Sequence, residues 1–137
     1  MRTPTASELL SVWELGQHQP LLQRGLLLLG AAAPDTPREA LARLSVGQRD
    51  SRLLYLREWA FGPLLVCAVT CPACKEPLEM TFEVSDILFD TEIEPGEPLS
   101  LTESGYELRL RLPNSLDLAA ISDQADAEAA RRLLLER

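Results

Sequence analysis

Cys71-Pro72-Ala73-Cys74 stands between an apolar run, Leu64-Leu65-Val66-Cys67-Ala68-Val69-Thr70, and an alternating one, Leu78-Glu79-Met80-Thr81-Phe82-Glu83-Val84. That order leaves few folds open. The runs read as two strands joined at the cysteines, so an antiparallel hairpin over residues 64–84 is predicted, with the pair at its tip. Cysteines spaced this way can bend around one metal ion with both sulfurs facing the same point, and zinc is the usual occupant. Cys71 and Cys74 are therefore the candidate metal ligands, as half of a zinc knuckle. A closed structural zinc site takes four ligands, and the chain holds three cysteines and one histidine. A plain turn with two small, partly buried thiols is an alternative. A thiol–disulfide pair is a third, less suited because that motif usually opens a helix after a strand, and here a strand follows. Cys67, four residues before Cys71, shares its strand face and reads more simply as a core cysteine than as a third ligand. His18 lies in the helical part and reads as packing or surface.

Composition narrows the class. At 137 residues the chain is one domain, or a small domain with an appendage. Its 46% hydrophobic and 25% charged content is ordinary for a soluble globular protein. A net charge of −8 argues against nucleic acid, whose phosphates would repel it. The odd cysteine count makes no disulfide framework and suits a reducing compartment. Met1-Arg2-Thr3-Pro4 leads straight into a capped helix with no signal peptide, and the apolar run from Gly25 to Ala33 is too short to span a bilayer. A cytoplasmic protein without membrane insertion is expected. The charge is uneven: residues 63–112 carry one Lys and two Arg against ten Asp+Glu, and no basic residue occurs from Glu76 to Glu107. A solvated acidic loop is the plain explanation; a docking surface for a basic partner, or extra carboxylate ligands near the cysteines, is the functional one.

Punctuation along the chain predicts helices first. Thr5-Ala6-Ser7-Glu8 is a capping box for a helix carrying Leu9, Leu10 and Trp13 to near Gly16. Pro20 starts a second helix, Leu21 to about Ala32, apolar nearly all round and so either buried or pressed against a partner. Thr36-Pro37-Arg38-Glu39 reads as an N-cap, a proline at the first helical position and a glutamate closing the box, and starts a short helix with Leu41 and Leu44. Ser45-Val46-Gly47-Gln48 caps a longer one that Gly62-Pro63 stops. Trp13, Tyr55, Trp59 and Phe61 fall at helical spacing and are expected in the core. Arg49, Arg52 and Arg57 are expected on a polar face, within reach of the acidic middle. Residues 85–90 are ambiguous between helical turn and strand, and residues 95–98 form a turn. Residues 106–112 alternate strictly, as a half-buried antiparallel strand would. Ser115 caps a short segment to Ile121, and Ser122-Asp123 opens a final helix, Gln124 to Arg137, with Glu128 and Arg132 paired.

The chemistry of catalysis is thin. There is no Gly-rich phosphate loop, no nucleophile elbow, and one histidine without a local cysteine or serine partner. No enzyme is expected.

The order of several segments carries a resemblance: Leu9 to Glu14, Pro20 to Leu29, Leu44 to Leu54, Arg57 to Pro63, Cys71 to Cys74 and Leu108 to Ser115. Together they resemble the small baseplate and hub-assembly proteins of T4-like contractile phage tails and related contractile injection systems. The resemblance implies a non-enzymatic structural or assembly protein that binds other baseplate or hub subunits, incorporated in a phage-tail-like particle. It also implies longer relatives, with a second Cys-Pro-x-Cys pair after the final helix completing a Cys₄ zinc site. This chain ends at Arg137 without that pair, so three outcomes stay open: a truncated chain, ligands from another chain, or no metal. The expected fold is α+β, one folding unit: helices over residues 1–62, an antiparallel β part with the cysteine hairpin over 63–112, and a C-terminal helix over 113–137. The leucine-rich second helix and the acidic middle, including Glu92, Glu94 and Glu97, are the expected partner surfaces, and homo-oligomers are compatible. A free-standing zinc-knuckle adaptor and a thiol–disulfide redox protein are the alternatives.

Overall fold

The apolar second helix is the piece around which the others assemble. In the computed structural model, which describes residues 1–88 and 98–137, helices α1 (Ala6–Gly16), α2 (Leu21–Ala32), α3 (Arg38–Arg43) and α4 (Val46–Phe61) come first. Strands β1 (Leu64–Thr70) and β2 (Pro77–Glu83) and a short 3₁₀ turn (Val84–Asp86) follow. Then come β3 (Leu99–Glu103), β4 (Tyr106–Leu110) and helices α5 (Ser115–Ile121) and α6 (Ala127–Leu135). The class is α+β, as the sequence predicts. The strands form two separate two-stranded antiparallel sheets, β1–β2 and β3–β4.

Leu26 and Leu29 of α2 pack with Leu41 and Ala42 of α3 and with Leu44, while Ala33, Leu53 and Leu56 close over them. Leu29 is wholly buried. This use of α2 leaves Leu21 as its one large, mostly exposed hydrophobic residue among those described.

Local chemistry explains the helix ends. Thr5 and Glu8 form the capping box in both directions, and the Arg2 guanidinium grips the same carboxylate. Hydrogen bonds from Arg2 and from Thr5 hold the Glu8 carboxyl down at about 2. Ser45 and Gln48 form the second box. Gly62, at φ 83°, ends α4 in a conformation that side chains resist.

Several expectations are corrected. Thr36 makes no cap: α3 starts after Pro37 without a side-chain cap bond. Asn114, one residue before Ser115, caps α5, and its amide oxygen accepts from the N–H groups of Leu116 and Asp117. The last helix starts later than expected, capped by Asp126, because that carboxylate accepts from Glu128 and Ala129. Glu128 meets Arg131 at 4.0 Å rather than Arg132.

The aromatic residues are not core. Trp13 is 63% exposed and Phe61 78%, and Tyr55 and Trp59 are also exposed. Leucines already fill the interior, and α4 turns Leu53 and Leu56 inward, which rotates Tyr55 and Trp59 outward. Two arginines of α4 find partners outside the acidic middle. Arg57 donates to the carbonyls of Gly62 and Leu64, and Arg49 to Asp50 and Ser115. The strand over 106–110 is antiparallel as predicted but exposed along its whole length. The expectations for Phe89 and Asp90, for the turn at 95–97 and for Glu92, Glu94 and Glu97 lie outside the described residues.

Leu29→Ala is expected to lower stability by about 2–5 kcal/mol. In urea unfolding the midpoint should fall while the slope stays unchanged.

Candidate functional site

Three features could carry function: the cysteine tip, a polar junction at the start of α5, and the half-exposed apolar sheet faces.

The cysteine tip follows from the register. Thr70 opposite Pro77 is the last strand pair, so residues 71–76 form the loop. The Cys71 N–H donates to the Glu76 carbonyl at 2.9 Å, and the Lys75 N–H donates to the Cys71 carbonyl at 2.9 Å. Lys75 takes a left-handed conformation, φ 65°, and its ammonium donates to the Pro72 carbonyl at 2.9 Å. This turn brings Cys71 and Cys74 within 3.5 Å of each other. The Cys71 thiol lies below the usual thiol value, first because the Cys74 backbone N–H points at its sulfur, then through the Ala73 N–H and the Cys74 side chain. N–H groups aimed at sulfur stabilise a thiolate, the form that binds metal or reacts.

The donor set suits two corners of a tetrahedral zinc site. Among the described residues no group of three or more His, Cys, Asp or Glu converges on one point. Cys67 sits back along β1, opposite Met80 and half-buried. His18 is exposed in the link between α1 and α2. The remaining corners are not filled by either.

The junction joins two segments far apart in sequence. Ser45 forms an isolated antiparallel bridge with Asn114, and the Val46 N–H donates to the Pro113 carbonyl at 2.9 Å. Arg49 then reaches Ser115 Oγ at 3.2 Å. Beside it lies Asp117, its side chain only 3% exposed. Arg111 binds Asp117 through both guanidinium nitrogens, at 2.5 and 2.8 Å, and Arg137 Nε adds a third bond at 3.0 Å. The Asn114 N–H supplies a fourth at 2.9 Å. These donors, Arg111 foremost, hold the Asp117 carboxyl well below the usual carboxylate range. Sequence reasoning missed Asp117, Arg111 and Arg137 as a unit. The signal was Asn114-x-x-Asp117, a capping box in which the acid is short enough to be drawn inside.

Both sheets present one apolar face. On β1–β2 the pairs Leu65/Phe82, Cys67/Met80 and Val69/Leu78 share a side. On β3–β4 the pairs Leu99/Leu110 and Leu101/Leu108 do the same. Val69, Met80 and Leu78 are about half exposed, as are the β3–β4 leucines. The two carboxyls with lowered values, Glu8 and Asp117, are engaged acceptors rather than groups poised to move a proton. The arrangement offers half-exposed apolar faces and two neighbouring thiols.

Two outcomes test this site. Because the native Asp117 value is depressed, its contribution is complete above the unfolded value near about 3.9 and drains away as pH falls below it. Asp117→Asn should cost about 2–3 kcal/mol at pH 7, with the gap to wild type narrowing below about pH 4 in urea unfolding. In metal-free protein, alkylation of Cys71 followed by mass spectrometry should reach half its limiting rate at a lower pH than an ordinary exposed thiol does, and Cys74→Ala should move that midpoint upward.

A family model described as T4 bacteriophage base plate protein matches residues 29–135, from the core of α2 to the end of α6. No curated protein and no solved structure matches the chain.

Proposed function

The chain belongs to the T4 bacteriophage base plate protein family, and from that premise we propose that it is a non-enzymatic structural or assembly subunit of a contractile-tail baseplate, in a phage tail or a related injection system. It acts by binding neighbouring baseplate or hub subunits. The observation that carries this reading is the exposed surface. The chain exposes 10258 Å², whereas a compact monomer of its 15.2 kDa would expose roughly 7,100 Å². The excess of roughly 3,000 Å² is several times the roughly 800 Å² that each partner contributes to a standard interface. Aromatic residues contribute to it: Trp13, Tyr55, Trp59 and Phe61 stand in solvent, and such side chains commonly anchor interfaces. No helix among the described residues is long and apolar enough to cross a membrane.

Cys71 and Cys74 hold two corners of a structural zinc site on this reading. The other two thiolates come from a further segment of chain or from a neighbouring subunit, so zinc would fasten one to the other. The nearness of the two thiols and the lowered Cys71 value also favour a second reading, a thiol–disulfide protein.

A tagged pull-down from cells assembling the tail, under reducing and zinc-replete conditions, tests the main reading. Sheath, hub or wedge subunits should be recovered; their absence while tails assemble normally would overturn it. Zinc measured by elemental analysis of the recovered complex should be about one per knuckle and be lost in the Cys71→Ser/Cys74→Ser variant. A complex without zinc, whose cysteines cycle between thiol and disulfide, would favour the redox reading.

A further inference from the structure

Strand β1 breaks a rule that the other three strands obey. Edge strands of natural sheets are blunted by charge, proline or a bulge, because an open edge invites another strand. β2 opens on Pro77 and carries Glu79 and Glu83, β3 ends on Glu103, and β4 carries Glu107 and Arg109. β1, Leu64-Leu65-Val66-Cys67-Ala68-Val69-Thr70, holds neither charge nor proline. Val66 on it is 72% exposed.

The ladder shows which backbone groups of β1 are free. The Val84 N–H donates to the Pro63 carbonyl and the Cys71 N–H to the Glu76 carbonyl, both at 2.9 Å and both continuing the β1–β2 register. Bonding alternates along an antiparallel pair. Leu65, Cys67 and Val69 therefore face β2, while Leu64, Val66, Ala68 and Thr70 turn their N–H and C=O groups to the outer edge. Arg57 covers the Leu64 carbonyl there. Val66, Ala68 and Thr70 remain, and among the described residues β2 is the one strand paired with β1.

We propose that this edge pairs with the same edge of a second copy of the chain, antiparallel about a two-fold axis at Ala68. Ala68 of each copy then faces the other, and Val66 of each faces Thr70 of the other. All three residues exchange both of their hydrogen bonds, and no free group of the edge is left over. This self-complementarity is what selects a second copy as the occupant. Val66 opposite Thr70 is a β-branched pair of the kind that stabilises sheets, and alanine meets itself at the axis without crowding. The product is one four-stranded sheet, with Leu65, Cys67 and Val69 of both copies on a continuous apolar face. Charge permits it although the chain carries −8. Glu79, which lies beside Ala68 in the register, stands three strand spacings from its counterpart, roughly 14 Å. That exceeds the screening length of ~8 Å at physiological salt. The pairing stands on the backbone register and does not depend on the baseplate reading.

The test follows backbone amide exchange by NMR on the full, reduced chain across a concentration series, with the mass read by light scattering. The mass should rise from 15.2 kDa toward twice that value, and the Val66, Ala68 and Thr70 amides should slow as it does. Leu65, Cys67 and Val69, bonded to β2, should be slow throughout. Ala68→Pro removes an outward donor and spares the β1–β2 ladder, so it should weaken dimerisation by about tenfold or more. Val66→Lys, which blunts the edge with charge, should act the same way. Ala68→Cys, oxidised, should join two copies through residue 68, whereas Thr70→Cys, offset from its counterpart, should not. A chain that stays monomeric at every concentration overturns the proposal. So does a dimer indifferent to both edge variants, or one cross-linked equally well at residues 68 and 70. Protection of these amides only in a complex with tail subunits assigns the edge to another protein and also overturns it. None of these outcomes touches the baseplate reading, which the pull-down decides.

Discussion

One buried carboxylate gathers the chain from Arg111 to Arg137 about itself. Asp117 lies inside the junction, where an unpaired charge would be costly, and four hydrogen bonds compensate it. Those donors come from the end of the β3–β4 hairpin, from the cap of α5 and from the far side of α6. Remove the charge and each donor loses its reason to converge. The neighbouring bridge between Ser45 and Asn114 then ties this cluster to the corner between α3 and α4. The C-terminal elements bury little apolar surface of their own, so polar contacts do the locating that a larger core would otherwise do.

This division of labour follows from size. A chain of 137 residues can bury one modest core, and α2, α3 and part of α4 supply it. Two hairpins and the outer aromatic residues remain in solvent. For a free-standing protein such exposure invites aggregation. For a member of the T4 base plate protein family it is material for contacts with other baseplate proteins.

The sequence was most legible where structure is local. The boxes Thr5/Glu8 and Ser45/Gln48 act within one helical turn, and both helices begin where the residues predict. The hairpin with Cys71 and Cys74 at its tip follows from alternation and spacing alone. Errors of one to a few residues arose where neighbouring side chains compete for one cap, as Asn114 and Ser115 do; the longer amide reaches two backbone donors at once. Larger errors concerned burial. Helical spacing shows that Tyr55 and Trp59 share a face, but not whether anything lies over it.

The sequence by itself determined the order of helices and strands, the turn chemistry and the facing of the two thiols, because each depends on residues a few positions apart. Tertiary structure alone decided which apolar faces became core and which stayed bare, since burial depends on elements brought together from distant segments. It also decided that Arg49 would meet Ser115, 66 residues away, and that Asp117 would be enclosed by arginines. A carboxylate's environment is set by whatever folds over it, and no local pattern of charge states that.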